Sequence, residues 1–394
     1  MNDLVIANIG RIVSGDIDQP LLAGDTVVVR DGRIAAIGHT SVVDRSGIER
    51  VIDAAGCQLW PGLIDSHTHP VFGDYTPRQQ TLNFIESGLH GGVTRIISAG
   101  EVHTPGRPKD AAGTKALAIL GAKAWAQFRP GGVKVLGGSL LLEHGLTVAD
   151  FAEMAREGVR VVGEIGISGV YAPEDARPMV EWAHACSMKV MMHIGGASVP
   201  GSSVIGASEA LAIGPDIAAH TNGGPTAAPL ADIERLIRET NMMIEVVQAG
   251  NTARVGAIVK LVVQHGALRR MMIGTDTPSG TGVIPLGVLR TMAWVASLGG
   301  VAPELTVAMA GGNTARVYDL AEGQVRVGNA ADLLLVDAPL GSEAADALAT
   351  LAIGDTPAVA VAVVDGVVRV AGSRNTPPSK RKVQIPWMAA GGGH

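Results

Sequence analysis

The chain has 394 residues and a formal net charge of −6, so it is long enough for a large core and more than one domain. The acidic balance gives no reason to expect a nucleic acid partner, and no apolar run reaches the roughly 18 residues of a membrane-spanning helix. The first residues lack the basic and apolar regions of a signal peptide, and the two cysteines do not make a disulfide framework. We therefore expect a soluble cytoplasmic protein with no membrane partner.

Both ends of the chain are rich in short β-strand patterns. The candidate strands are 4–13, 26–30, 33–38 and 51–54 near the start, and 332–337, 359–364 and 367–370 near the end. Asp31 and Asp365 are each followed by glycine, which predicts a tight hairpin turn at both places. Because chain termini often lie close together on a domain surface, we expect residues 1–58 and 323–394 to form one composite β-sandwich domain.

The middle of the chain alternates short apolar strands with longer helical patterns. Besides the strand that ends at His67, the predicted strands are 92–98, 131–137, 158–165, 189–194, 217–221, 243–248 and 270–275. The predicted helices are 78–90, 111–127, 148–157, 174–186, 229–240 and 252–266. Eight strands alternating with helices predict an α/β fold, a (β/α)8 TIM barrel over residues 59–322, whose active site lies at the C-terminal strand ends.

The first barrel strand ends in two histidines separated by one residue. Alternate side chains of a strand point to the same side, so His67 and His69 project together. Two neutral imidazoles at a strand end can hold one divalent metal. Pro70 cannot donate to a sheet and marks where the strand stops.

Four further strand ends carry a polar residue after an apolar run. These residues are Glu164, His193, His220 and Asp276. With the first pair they can hold two metals: His67, His69 and Asp276 on one, His193 and His220 on the other, with Glu164 as the bridge. Two divalent ions placed in this way would lower the pKa of a water molecule between them and polarise a carbonyl group. Asp276 is the natural catalytic proton shuttle.

These motifs resemble the metal-dependent amidohydrolase superfamily, and the resemblance covers nearly all of the chain. It rests on residues 61–69 and the later ligands, and on 312–316 and 328–333, which resemble the segments that close the barrel and re-enter the small domain. The resemblance implies metal-assisted hydrolysis at an amide, ester or amidine carbon. Many members bridge the metals with a carboxylated lysine on the fourth strand, where this chain has Glu164; Lys134 lies one strand too early.

Within the superfamily, loop segments resemble those of the enamidases. The segments are 73–79, 105–110, 198–203, 220–226, 276–282 and 373–378. This resemblance implies an enzyme of nicotinate degradation that opens the cyclic enamide 6-oxo-1,4,5,6-tetrahydronicotinate to 2-formylglutarate and ammonia. It also implies a binuclear centre of Zn2+ and Fe2+ bridged by Glu164, and a homotetramer.

A substrate of this kind carries a carboxylate, which needs a cation in the pocket. Arg78 and Arg107 follow the first and second strands, and arginine suits two-pronged binding of a carboxylate. The alternative for either arginine is an ion pair with a neighbouring acid. Tyr75 and Asn222 are candidates for hydrogen bonds to substrate from their positions alone.

Three other functions stay open from the sequence. A dihydroorotase-like or hydantoinase-like enzyme shares the mechanism, although Glu164 in place of a bridging lysine speaks against it. A mononuclear, deaminase-like aminohydrolase would not need Glu164 as a ligand. A metal-free scaffold would lack ligands, and none is missing here.

Overall fold

The N-terminal segment is a run of short strands in the computed structural model, which describes residues 3–71, 81–102, 104, 106–167, 169–197, 202–224, 226–278 and 282–388. The strands are β1 (Leu4–Ala7), β2 (Arg11–Val13), β3 (Leu21–Leu22), β4 (Thr26–Arg30), β5 (Arg33–Gly38), β6 (Val51–Asp53) and β7 (Gln58–Pro61). Asp31 and Gly32 have φ angles of 48° and 74°, the left-handed pair of a tight hairpin turn, so this predicted turn is confirmed.

The middle segment alternates strands and helices in the predicted order. Its elements are β8 (Leu63–Thr68), α1 (Thr81–His90), β9 (Val93–Ser98), α2 (Ala111–Gln127), β10 (Lys134–Leu136), α3 (Val148–Arg156), β11 (Val161–Ile165), α4 (Pro173–Ala185), β12 (Lys189–His193), α5 (Ala207–Ile213), β13 (Ile217–Ala219), α6 (Leu230–Glu239), β14 (Met243–Val247), α7 (Thr252–Gln264), β15 (Met271–Gly274), α8 (Gly287–Gly299), α9 (Pro303–Met309) and α10 (Gly312–Tyr318). Each of the eight predicted strands is therefore present.

Some boundaries differ from the prediction. Strand β10 begins three residues late because 130–132 form a 3-10 turn in which Gly131 has a φ of 61°. Helix α1 begins at Thr81, and the predicted residues 78–80 lie outside the described part of the chain. Helices α5, α8, α9 and α10 were not predicted; α5 and α8 lie directly after loops rich in glycine.

The C-terminal segment returns to β-structure. It comprises β16 (Leu333–Asp337), α11 (Ala347–Ala352), β17 (Ala358–Val364) and β18 (Val367–Ala371). Asp365 and Gly366 repeat the left-handed turn between β17 and β18, with φ angles of 49° and 73°. Strand β16 pairs with β7, and the sheet runs β18–β17–β16–β7–β2–β3. The second sheet runs β5–β4–β1–β6, and side chains from both sheets share one buried core.

The strands of the middle segment form two parallel sheets, β10–β9–β8 and β11–β12–β13–β14–β15. Backbone hydrogen bonds join these sheets at both edges. Past β15, the Asp276 N–H donates to the His67 carbonyl at 2.9 Å. Between β10 and β11, the Leu140 N–H donates to Val161 at 2.9 Å, and the Gly163 N–H donates back to Leu140 at 2.7 Å. The C-terminal ends of all these strands therefore meet at one face.

An ion cluster connects the parallel strands to the C-terminal sheet. Lys134, the first residue of β10, lies 3.0 Å from Asp332 and 2.7 Å from Asp365. Arg95 of β9 pairs with Glu322 in the same cluster. Lys134 is thus at the strand end opposite to Glu164, as expected for a lysine that does not bridge metals. In the described part of the chain, no helix is both long and apolar enough to cross a membrane.

Candidate metal centre

The histidine pair of β8 is buried and points to one side of the strand, as the strand period requires. The Nε2 atoms of His67 and His69 lie 3.3 Å apart. Asp276, just beyond β15, brings its Oδ1 within 3.2 Å of the His69 Nε2 and 3.6 Å of the His67 Nε2. Donor atoms of these three residues lie within 4.8 Å of one another.

A second group of donors lies beside the first. It consists of Glu164 on β11, His193 at the end of β12 and His220 just after β13, all buried. The His193 Nδ1 lies 3.1 Å from the His220 Nε2 and 3.4 Å from the Glu164 Oε1. His220 and Glu164 are in direct contact through the same Nε2 and Oε1 atoms.

Glu164 faces both groups with different oxygens. Its Oε1 is directed at His193 and His220, whereas its Oε2 lies 3.6 Å from the His67 Nε2 and 3.9 Å from the His69 Nε2. A carboxylate so placed can supply one oxygen to each of two ions. The structure therefore brings together all six predicted ligands, and their binding of two metals stays a prediction.

In three of the histidines, the ring nitrogen that faces away from the centre donates a hydrogen bond. This bond determines which nitrogen of the ring faces the centre. His67 Nδ1 donates to the Glu245 carboxylate at 2.8 Å, and His69 Nδ1 donates to the Gly100 carbonyl at 3.0 Å. His193 uses the opposite nitrogen, because its Nε2 donates to the Gly196 carbonyl at 2.7 Å. In the neutral rings, the nitrogens that face the centre therefore carry lone pairs.

The backbone is strained at two of the predicted ligands, just after their strands end. His220 and Asp276 have φ angles of 33° and 55°, in the left-handed region that non-glycine residues rarely adopt. Such conformations persist at sites where the surrounding structure holds them. Gly274 allows the close approach of β15 to β8, because a Cβ there would lie 2.9 Å from the Cβ of His67.

The carboxylates of the site favour positive charge beside them. Burial alone would lower the pKa of His67, but the carboxylates of Glu245 and Glu164 raise it well above its ordinary value. Burial alone would raise the pKa of Glu164, yet His220, His193 and His67 hold it well below its ordinary range. The pKa of Asp276 is lowered in the same way, with burial opposed chiefly by its contact with the His69 ring.

Divalent cations fit this donor set. Lone pairs of His67 and His69 face each other across 3.3 Å, next to carboxylate oxygens that hold their charge. Without a cation, the neighbouring carboxylates raise the pKa of His67 well above its ordinary value, so positive charge is favoured there. Imidazole nitrogen and carboxylate oxygen are ligands that first-row divalent metals accept.

The sequence analysis did not single out Glu245. It lies in the middle of β14, is fully buried, and accepts hydrogen bonds from Ser66, His67 and the backbone of His220. The signal was present in the sequence, because Glu245 is a single carboxylate in an apolar strand, as Glu164 is. Asp65 also supports the site: it accepts hydrogen bonds from the backbone and hydroxyl of Thr275, at 2.9 and 2.6 Å.

The predicted substrate contacts have different outcomes. Arg107 forms an ion pair with Glu143, with 3.0 Å between the Nη1 and Oε1 atoms. The Asn222 amide donates to the Val247 carbonyl at 2.9 Å and accepts from the Val247 N–H at 2.8 Å, so it connects the ends of β13 and β14. Its role in substrate binding stays a prediction. Tyr75 and Arg78 lie outside the described residues.

Comparisons with known sequences and structures identify the family of this chain. The Amidohydrolase family model matches residues 59–369. Enamidase of Eubacterium barkeri is 51% identical over 385 residues, which is 98% of this chain and 100% of the relative. A crystal structure of enamidase superposes with a TM-score of 0.94 over 97% of this chain and 100% of that chain, again at 51% identity.

More distant proteins share the fold. A β-aspartyl dipeptidase from Fervidobacterium islandicum superposes with a TM-score of 0.64 at 17% identity, over 94% of this chain and 97% of that chain. We conclude from the family model, the full-length relative and the six donor groups at the strand ends that the protein belongs to the amidohydrolase family.

Proposed function

We propose that this protein is an enamidase: a metal-dependent hydrolase that opens the cyclic amide of 6-oxo-1,4,5,6-tetrahydronicotinate. The products are 2-formylglutarate and ammonia. The observation that carries the proposal is the 51% identity to an enamidase, which extends over 98% of this chain and the whole of the relative. The six convergent donor groups supply the chemistry that such a reaction needs.

A barrel with its active residues at one face would suit this function. We infer that the two parallel sheets are the two arcs of a single (β/α)8 barrel, because hydrogen bonds join them at both edges. The two end sheets, which share a core, then form the composite β-sandwich. We place the domain boundary after Pro61 rather than after Gln58, because β7 pairs with β16.

The residues of the centre have different roles in amide hydrolysis. Bound Zn2+ and Fe2+, the pair that the resemblance implies, would lower the pKa of a water molecule and polarise the amide carbonyl. His67, His69 and Asp276 would hold one ion and His193 and His220 the other, with Glu164 available to both. Asp276 accepts the proton of the attacking water and passes it to the ring nitrogen as the carbon–nitrogen bond breaks.

Ring opening leaves an enamine, and the remaining steps need only a second water. The enamine tautomerises to an imine, and water adds to the imine carbon to give the aldehyde with loss of ammonia. One substrate and two waters thus account for every atom of 2-formylglutarate and ammonia. A single centre suffices for this sequence of steps.

We propose that an arginine binds the ring carboxylate. Arg107 follows β9 on the face where the ligands lie, and Arg78 follows β8 in the sequence. Glu143 engages one nitrogen of Arg107, and the guanidinium carries other donors for a carboxylate. A role in nicotinate degradation and a homotetramer complete the proposal and rest on the resemblance to enamidases. The cytoplasmic location rests on the sequence composition and stays a prediction.

Metal analysis combined with turnover assays tests the proposal. We expect about two first-row divalent ions per chain, and release of aldehyde and ammonia in equal amounts from the tetrahydro-oxonicotinate. One ion per chain in fully active enzyme would contradict the binuclear centre. Ready turnover of hydantoin or dihydroorotate, with none of the tetrahydro-oxonicotinate, would identify a different cyclic amidohydrolase.

A further inference from the structure

Glu245 is a fully buried carboxylate that the proposed reaction does not use. It lies in the middle of β14 and none of its surface is exposed. Its Oε1 accepts a hydrogen bond from the Ser66 hydroxyl. Its Oε2 accepts two, from the His67 Nδ1 at 2.8 Å and from the His220 N–H at 3.2 Å. Both oxygens are therefore satisfied within the protein.

The contact with His67 determines which ring nitrogen is available to a metal. A carboxylate accepts and does not donate, so the hydrogen of a neutral His67 must sit on Nδ1. The Nε2 atom then presents its lone pair to His69, Asp276 and Glu164, at 3.3 to 3.6 Å. Without this acceptor, the hydrogen is free to move to Nε2, and the ring cannot act as a ligand there.

The contact with His220 acts on the backbone. His220 has a φ of 33°, a conformation that a non-glycine residue holds only when its surroundings require it. The Glu245 Oε2 accepts the N–H of this residue, and the Glu245 carbonyl accepts the next N–H, of Thr221, at 2.9 Å. Glu245 thereby fixes the point at which the chain leaves β13 and directs the His220 ring towards Glu164.

We propose that Glu245 is a positioning residue of the metal centre that sets one ligand of each metal group, His67 by its ring and His220 by its backbone. The inference deepens the proposed function and rests on its metal centre, but not on the identity of the substrate. Partners that orient metal-binding histidines typically change metal affinity about 10–100-fold when they are removed.

The test compares Zn2+ affinity in variants of the full-length protein. Glu245→Met keeps the length of the side chain and removes the acceptor, so it separates hydrogen bonding from loss of volume; Glu245→Ala is a second variant without an acceptor. Each protein is stripped of metal and titrated with Zn2+ against a chromophoric chelator. We expect affinity for at least one of the two ions to fall about 10–100-fold in both variants.

Glu245→Gln supplies the conservative rescue. Its amide oxygen can take the place of Oε2 and accept both N–H groups, while its NH2 donates to the Ser66 oxygen. This variant keeps the geometry and loses only the charge, so we expect it to bind Zn2+ more tightly than Glu245→Met by about tenfold. Equal weakness of the Gln and Met variants would overturn the positioning role.

Thr221→Val is the matched control. The Thr221 hydroxyl donates to the backbone carbonyl of Glu245 at 2.7 Å, so its removal disturbs the same two strands without touching the carboxylate. We expect a lower unfolding temperature and Zn2+ affinity within about twofold of wild type. If Glu245→Met and Glu245→Ala also keep wild-type Zn2+ affinity, Glu245 is only structural and the inference fails. Wild-type protein that binds two Zn2+ ions but does not hydrolyse the cyclic enamide would contradict the proposed substrate alone.

Discussion

Asp276 has the most exposed side chain of the six predicted ligands, at 23%, whereas His220 follows with 7% and Glu164 has 1%. It is therefore the ligand best placed to meet a substrate that enters from the loops above the strands. Its pKa is lowered because its contact with the His69 ring and nearby histidine charges outweigh burial. The carboxyl is thus ionised at neutral pH.

Asp276→Asn should separate metal binding from proton transfer. The amide keeps an oxygen for the metal, and the His67, His69 and Glu164 donors are unchanged. Turnover should fall by about 10²–10⁴-fold, the usual effect of losing a general acid–base group. Metal analysis and steady-state kinetics on the same preparation check this expectation. Retained metal with near-normal turnover would assign proton transfer to another residue.

Arg107→Ala should distinguish a carboxylate-binding residue from a purely structural ion pair. If Arg107 binds the ring carboxylate, the variant raises KM for the carboxylated substrate by about tenfold or more, since charge-assisted hydrogen bonds are strong. An analogue without the carboxylate should be affected little, because it never makes the contact. Glu143→Gln is the control, since it weakens the 3.0 Å ion pair but leaves the arginine in place. Equal losses on both compounds would show that the pair is structural.

At the scale of elements, the sequence predicted the strands because each is a short apolar run followed by a polar residue and a loop. This pattern also predicted the candidate metal ligands, since the C-terminal ends of parallel strands meet at one face. Candidates that follow a strand, such as His220 and Asp276, were predicted in this way. The two Asp-Gly hairpins were predicted for a local reason: their backbone needs two positive φ angles.

Features that depend on contacts between distant strands were not predictable. Glu245 has the same sequence signal as Glu164, yet only the structure shows that its carboxylate reaches His67, 178 residues away in the chain. For Asn222 likewise, only the structure shows that its amide pairs with the backbone of Val247. Helix α5 has seven residues, too few for a helical period to be distinguished from a loop.

At the scale of the whole molecule, a mostly buried ion cluster connects the C-terminal sheet to the parallel strands. Lys134 is 12% exposed and contacts Asp332, which is fully buried, and Asp365. Burial raises the pKa of Asp332, and the charge of Lys134 opposes this effect. The cluster lies at the N-terminal strand ends, opposite the metal centre, so it can be altered without touching the ligands.

Lys134→Met should therefore reduce stability without changing catalysis. Removing one partner of a buried ion pair typically costs about 3–5 kcal/mol, because the other charge stays buried without compensation. We expect a lower unfolding temperature, measured by calorimetry, with unchanged KM. Lys115→Met is the matched control: Lys115 also contacts two carboxylates, Asp150 and Glu153, but the Glu153 side chain is 44% exposed. Ion pairs of this kind contribute little to stability, because solvent screens them.

The loss of stability in Lys134→Met should also depend on pH, and the titration of Asp332 determines in which direction. Without the lysine, the pKa of folded Asp332 rises further above 3.8, its ordinary value, which applies in the unfolded chain. Between these two pKa values the folded variant holds a proton that the unfolded chain has released, so stability falls as pH rises. Unfolding temperatures of variant and wild type should therefore diverge more at pH about 7 than at pH about 4. A difference that is constant over this range, or larger in acid, would show that Lys134 does not act through the buried carboxylate.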